Sequence, residues 1–148
     1  MIKPMWLWLL RSSLLCTIGF GAIGCSRIGG RTIGVEFRSA EGLRGGEAVY
    51  LAGVRVGTAH EPRLESGHAV VPVTIYRQHK DAVPAGTVFL LKRDPQDASR
   101  FALAGAVCSS GSPGQKPPET YQGVRNQIEF LAVCGAAKAA ELYEELTR

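Results

Sequence analysis

The chain has 148 residues, of which 45% are hydrophobic and 20% are charged, and 18 of them are glycines. This length suits one domain and excludes two full-sized ones, and glycines between short apolar runs favour a β-rich domain over a helical bundle or a disordered chain. The net charge of +4 falls to +2 without residues 1–24, because Lys3 and Arg11 lie there with no acidic residue. The remaining charges are scattered and form no basic stripe, so nucleic acid is not an expected partner.

Residues 1–24 have the pattern of a signal peptide or membrane anchor. Lys3 and Arg11 precede a short apolar run that ends in small residues just before Cys25, which is typical of an export signal. The run from Ser12 to Gly24 has 13 residues, fewer than the roughly 20 that a spanning helix needs. A longer span would place Arg11 inside the hydrocarbon region, at a cost of about 2.5–3.5 kcal/mol.

The segment Ala22-Ile23-Gly24-Cys25 resembles a bacterial lipobox, although leucine is more usual where Ala22 stands. In that chemistry the Cys25 thiol is lipidated and Cys25 becomes the mature N-terminus. An uncleaved N-terminal helix and a plainly cleaved signal remain as alternatives, and all three export the domain. The lipidated and the uncleaved form both predict a membrane-anchored protein on the periplasmic side of a bacterial cell envelope, with residues 25–31 as a tether.

Short apolar segments bounded by glycine and polar turns predict six strands between residues 32 and 108. In the longest of them Val71, Val73 and Ile75 share one face, and Pro72 on the other face indicates an edge or a bulge. The predicted strands are Thr32–Phe37, Ala48–Leu51, a short strand or bulge at Gly53–Gly57, His68–Tyr76, Thr87–Lys92 and Phe101–Cys108.

Residues 109–148 are predicted to hold a loop, a last strand and a helix. Ser109–Glu119 is rich in Ser, Gly and Pro, Gln127–Val133 has strand-like character, and Ala136–Leu146 is rich in Ala, Glu and Leu. About seven strands with glycine corners predict a mainly β fold, a small β-barrel with a short C-terminal helix.

The cysteines favour a disulfide over a metal site. Cys16 lies in the leader and Cys25 is the lipidation candidate, which leaves Cys108 and Cys134 as a pair. In an oxidising compartment such a pair predicts a disulfide, and two buried small apolar residues are the alternative. Nothing in the spacing of Cys and His predicts a metal centre.

Glycines and β-branched residues recur in a fixed order between Thr32 and Cys108. After Val35-x-Phe37 come the residues of the fold motif: Gly42, Leu43, Gly46, Val49, Gly53, Val54, Val56 and Gly57. In order and spacing, this motif resembles the opening half of an MCE domain, as in MlaD-type lipid-transfer proteins. We expect the glycines at strand reversals and the valines in the core or at subunit contacts.

The resemblance implies a seven-stranded MCE-type barrel that assembles into a homo-hexameric ring around an apolar channel for phospholipid-like molecules. It further implies a membrane, an ABC permease and an ATPase as partners, and no cofactor. The ATPase must be another chain, because this one has no Gly-x-x-x-x-Gly-Lys-Ser/Thr phosphate loop.

One segment departs from the family pattern. Better-known members carry a Leu-rich pore loop between the last two barrel strands, whereas Arg93–Arg100 is polar and charged. Either Phe89, Phe101 and Leu103 face the lumen and contact lipid, or the ring passes headgroups, or no pore forms. Ordinary barrel core is the alternative role for these three residues.

Enzyme chemistry is not expected. His60, His68 and His79 are spaced by eight and eleven residues, which suits no compact zinc motif. A structural role for Cys108 is favoured over a catalytic pair with His60, so we expect neither catalytic residues nor a bound metal. The leading hypothesis is a lipid-binding transport subunit, and the alternative is an envelope adaptor lipoprotein that uses the barrel to dock a protein partner.

Overall fold

A computed structural model describes residues 30–109 and 115–147. Within them a short 3-10 helix, Arg77–His79, lies in the connection between two consecutive strands. The strands are β1 Arg31–Phe37, β2 Ala48–Leu51, β3 Val54–Ala59, β4 Arg63–Glu65, β5 His68–Ile75, β6 Thr87–Arg93, β7 Phe101–Val107 and β8 Thr120–Val124, and the helices are α1 Gln127–Cys134 and α2 Ala136–Thr147.

Seven strands close into a barrel in the order β1-β8-β6-β7-β2-β3-β5, and a pairing between β5 and β1 completes the circle. That closing pair is antiparallel and runs from Arg31 opposite Ile75 to Phe37 opposite Ala69. The short β4 pairs with the start of β5. The predicted seven-stranded β-barrel is therefore confirmed, with β4 as an addition.

The barrel interior is filled by the alternating apolar side chains of its strands. Val71, Val73 and Ile75 of β5 are fully buried together, as their spacing predicts. Pro72 lies where the pairing with β3 has ended and the pairing with β4 has not begun, and its carbonyl accepts the His60 N–H at 2.7 Å. The missing proline N–H thus falls at the predicted irregularity.

A second apolar layer lies outside the barrel, where both helices pack on β6, β7 and β8. It joins the outward side chains Val88 and Leu90 of β6 to Phe130 of α1 and Ala139 of α2. The predicted C-terminal helix is confirmed as α2.

The predicted strand over Gln127–Val133 is wrong, because this segment is helix α1. The Asn126 side chain accepts the Glu129 N–H at 2.9 Å, and the Glu129 carboxylate accepts the Arg125 N–H at 2.8 Å. These bonds satisfy one N–H of the first turn and the N–H of the residue before the N-cap, an arrangement close to a capping box that favours a helix start here.

The last barrel strand is β8, which lies between β1 and β6 and pairs in parallel with both. Its position extends the barrel past Cys108 as far as Val124, so part of the segment after residue 108 belongs to the barrel wall. Neither β8 nor β4 was predicted.

The strand directions define a near end and a far end of the barrel. The near end holds the start of β1 at Arg31, the β2–β3 turn and the end of β7 at Val107. The far end holds Phe37 and the loop from β6 to β7, residues 94–100. Because α1 ends and α2 begins at the near end, α2 runs back towards the far end.

Candidate functional site

The turns of the fold motif form the scaffold for the site. At Gly42 the backbone φ is +90°, and a Cβ there would lie 2.9 Å from Cε2 of Phe101. At Gly57 a Cβ would collide with the Thr74 carbonyl of the neighbouring strand. A positive φ and a close backbone approach are two conditions that favour glycine, so these positions serve the fold.

The valines of the motif separate into core and surface. Val49 and Val56 are buried in the barrel core, as predicted, whereas Val54 at the near end is 53% exposed. Gly46 and Gly53 have positive φ, and Leu43 packs in the core at the far end. Val54 therefore lies at the surface of the part of the chain that the structure describes, and its role as a subunit contact stays a prediction.

The predicted lipid-contact residues are not grouped on an open surface. Phe89 and Leu103 are fully buried in the barrel interior, where Phe89 packs edge-on against Tyr121 with ring centroids 5.9 Å apart. The Tyr121 hydroxyl donates to the Val83 carbonyl at 3.1 Å across the near end. Their burial agrees with the alternative role as barrel core, because side chains with no accessible surface cannot touch a molecule outside the barrel.

Phe101 lies at the far end and is half-buried. The Arg93 guanidinium lies 4.3 Å from the centroid of its ring, a cation–π geometry. Contact of Phe101 with lipid stays a prediction.

The loop over residues 94–100 is polar, and it is held by its own hydrogen bonds. The Asp94 carboxylate accepts the Gln96 N–H at 2.8 Å, and the Asp97 carboxylate accepts the Ser99 N–H and hydroxyl at 3.0 and 2.6 Å. The bonds from Ser99 lower the pKa of Asp97 from its ordinary value. This ordered loop offers charged groups, with no apolar wall for an acyl chain.

Tyr50 joins that loop to the outer face of the barrel. Its hydroxyl donates to the Asp94 carboxylate at 3.2 Å. Burial, the Asp94 charge and this hydrogen bond raise the pKa of Tyr50 above 10.0. Tyr50 is therefore a neutral side chain at ordinary pH, with an apolar ring that packs with Ala48 and Ala102.

An apolar groove runs along the outside of the barrel between α2 and strands β7 and β2. Its volume is about 720 Å³. Its floor is formed by Ala104 and Ala106, which point outward from β7, and Leu142 and Leu146 of α2 form one wall. At the near end the groove opens between small and apolar residues, and at the far end Lys92 donates to the Leu146 carbonyl at 2.5 Å. We call this concavity the outer groove.

The two cysteines that were predicted as a pair lie together beside this helical layer. Cys108 follows β7 and Cys134 ends α1, and the structure joins them as a disulfide with Cα atoms 4.9 Å apart. The link ties α1 to the near end of the barrel. The predicted leader with Cys16 and the lipidation candidate Cys25 lies outside the described residues.

The histidines are dispersed over the surface. His60 lies 2.7 Å from the Thr74 hydroxyl, His68 lies 3.1 Å from the Glu36 carboxylate, and His79 lies beside Gln78. His60 is at the far end and Cys108 at the near end, so the structure does not bring these two together. Over residues 30–109 and 115–147, no helix is long and apolar enough to cross a membrane.

A filled seven-stranded barrel with a helical layer on one side and an apolar groove between them defines the class, a small β-barrel domain. The family model described as MlaD protein matches residues 29–107. This match covers more than half of the chain, and the chain belongs to the MlaD family, as the resemblance of its motifs predicts.

The fold also has a solved counterpart. The chain is similar to a chain in the structure titled "Acinetobacter MlaFEDB complex in ATP-bound Vtrans1 conformation", with a TM-score of 0.54 and 13% sequence identity over 72% of this chain and 81% of that one. At this identity the likeness is one of fold. A search of curated proteins found no match.

Sequence reasoning missed the outer groove. The signal that exists is the small-residue alternation of β7, where Ala102, Ala104 and Ala106 alternate with the inward Leu103 and Gly105. That pattern shows which side chains point outward, but it does not show that α2 folds back beside them.

Proposed function

We propose that this chain is the lipid-binding subunit of an envelope lipid-transport system of the MlaD type, acting without covalent chemistry. The observation that carries the proposal is the family match over residues 29–107, which coincides with the closed barrel as far as β7. The chain with the similar fold belongs to a structure described as an ATP-bound MlaFEDB complex. By analogy, an ABC permease and an ATPase on other chains are the partners, and phospholipid is the cargo.

The same proposal places the barrel on the periplasmic side of a membrane, anchored through residues 1–24 or through a lipid on Cys25. The positive start, the apolar run and the lipobox-like sequence before Cys25 support it. Labelled palmitate should enter the wild-type protein and be absent from Cys25→Ala. A variant that still takes up label would show that another residue is modified.

Lipid carriage is tested on the full chain extracted from its own membranes with partners intact. We expect phospholipid to co-purify and to be seen by mass spectrometry, and light scattering to give a hexamer. A preparation that is monomeric and carries no phospholipid would overturn the proposal.

The polar loop over residues 94–100 favours a second candidate, an envelope adaptor that docks a protein partner through the same barrel. Its two carboxylates are fixed in place by hydrogen bonds, and Asp97 is exposed while Asp94 is half-buried. Such groups suit recognition of a polar protein surface better than an acyl chain. A monomer that captures a defined envelope protein, and loses it on Asp97→Ala, would favour the adaptor.

A further inference from the structure

The barrel interior and the loop between β6 and β7 leave little apolar surface for a lipid tail. The interior is occupied by Phe37, Phe89 and Leu103, each of which is fully buried, and the loop over residues 94–100 is polar. A lipid carrier needs an apolar wall, because each methylene of the tail that is buried against it increases the affinity about fourfold. The outer groove supplies such a wall.

We propose that the outer groove binds one acyl chain of an anionic phospholipid, inserted tail-first from the near end. This inference rests on the proposed function and names a site for the lipid on the outside of the barrel. The groove volume of about 720 Å³ falls in the range of small-molecule sites. Its floor from Val107 to Ala104 spans about 10 Å at the rise of a strand.

The two ends of the groove differ in a way that sets the direction of insertion. The mouth at the near end is lined by Ala52, Gly53, Ala82 and Pro84, without a charged lining residue. At the far end the Lys92 ammonium bonded to the Leu146 carbonyl closes the groove with polar groups. An apolar tail therefore enters at the mouth and stops at Lys92.

Basic side chains flank the mouth. Arg55 lies opposite Tyr50 across β2 and β3, and Arg77 and Lys80 lie in the segment that crosses the near end towards Pro84. All three are exposed, and the one acidic residue of that segment is Asp81, 3.9 Å from Lys80. The excess of positive charge is complementary to an anionic headgroup at the mouth.

The near end is also the end that the predicted anchor brings to the membrane. β1 begins at Arg31, and Gly30 packs against Ile75 at this end. The six residues from Cys25 to Gly30 reach at most about 20 Å when fully extended. With that tether the mouth lies close to the headgroups, on the side from which a lipid would arrive.

The test uses the full chain reconstituted into vesicles of phosphatidylcholine with a minor fraction of phosphatidylglycerol. The probe is phosphatidylglycerol with a diazirine in one acyl chain, and cross-linked residues are mapped by mass spectrometry after illumination. We expect cross-links on Ala104, Ala106, Leu142 and Leu146. Cross-links confined to other parts of residues 30–147 would overturn the inference.

Groove-filling variants make the result specific. Ala104→Phe fills the floor, and displacing only two methylenes of the tail lowers the cross-linked fraction about fifteenfold. Ala82→Phe fills the exposed mouth, where it disturbs no core packing, and should act in the same direction. Ala132→Phe on the exposed side of α1 is the matched control and should cross-link like the wild type.

Headgroup recognition is tested by charge. A phosphatidylcholine probe with the same diazirine chain should cross-link less than the phosphatidylglycerol probe. The double variant Arg55→Gln/Lys80→Gln should remove this difference, and a difference that persists unchanged would overturn the assignment of the headgroup to the mouth.

The outcomes separate this inference from the proposed function. If both groove variants cross-link as the control does and native extracts still contain phospholipid, the groove is not the site and the proposed function stands. If no variant and no wild-type preparation carries phospholipid, the proposed function fails. If Ala104→Phe instead breaks the oligomer on light scattering, a second copy of the chain covers the groove and the inference is overturned.

Discussion

The link between Cys108 and Cys134 allows a sharp test of how the helical layer is held. The perturbation is the double variant Cys108→Ser/Cys134→Ser in the full chain. The two cysteines are 26 positions apart, and closing a loop of that length removes enough unfolded-state entropy to stabilise the fold by about 3.5 kcal/mol on the chain-entropy model. For a chain of this size that corresponds to a fall in Tm of roughly 10 °C.

The assay is thermal unfolding followed by circular dichroism, with and without a reductant. We expect the reductant to lower the Tm of the wild type to that of the double variant and to leave the variant unchanged. Because the link joins the end of α1 to the end of β7, amide exchange in α1 and α2 should rise more than in β1 and β5. If the reductant leaves the wild-type Tm unchanged and amide exchange in α1 and α2 does not rise, the reasoning is refuted.

Three further predictions concern buried or partly buried polar groups. Tyr121→Phe leaves the Val83 carbonyl without its hydrogen bond and should cost about 1–2 kcal/mol in urea unfolding; an unchanged urea midpoint would contradict this role. Glu47→Gln replaces a buried carboxylate that accepts two backbone N–H groups at 2.7 and 3.0 Å with an amide that has only one acceptor oxygen. It should lower the urea midpoint by the equivalent of about 1–3 kcal/mol. Because the pKa of Tyr50 is raised, its contribution to stability holds below about pH 10 and is lost as the pH rises through the raised pKa. An absorbance titration assigned with Tyr50→Phe should show this step, and Asp94→Asn should move it lower; a step that does not move would contradict the role given to Asp94.

The strands between residues 32 and 108 could be predicted because their signals are local. Alternation placed Val71, Val73 and Ile75 on one face, and in the structure that face is buried in the barrel core. The spacing of Gly42, Gly57 and their neighbours indicated the family before any contact was known. Strands and turns of this kind can be predicted from neighbouring residues, because hydrophobic alternation and turn-forming residues are visible in short stretches of sequence.

Two elements after residue 108 show where that reasoning stops. The β-branched and apolar side chains of Gln127–Val133 suggest a strand, but the cap formed by Asn126 and Glu129 favours a helix. In contrast, β8 has the weak strand sequence TYQGV and becomes a strand because β1 and β6 pair with it on both sides. Non-local pairing overrides a weak local preference.

The amino-acid sequence by itself determined which side chains alternate in and out of the barrel, where the chain turns and to which family it belongs. It also determined that β7 presents alanines on one face. Only the tertiary structure decided that α2 lies beside those alanines and leaves a groove between Leu142 and Ala104. An outward alanine lies on the open surface or on the floor of a groove, depending on which segment packs next to it. Here that segment is α2, about forty residues away in the chain, and its position depends on the whole barrel.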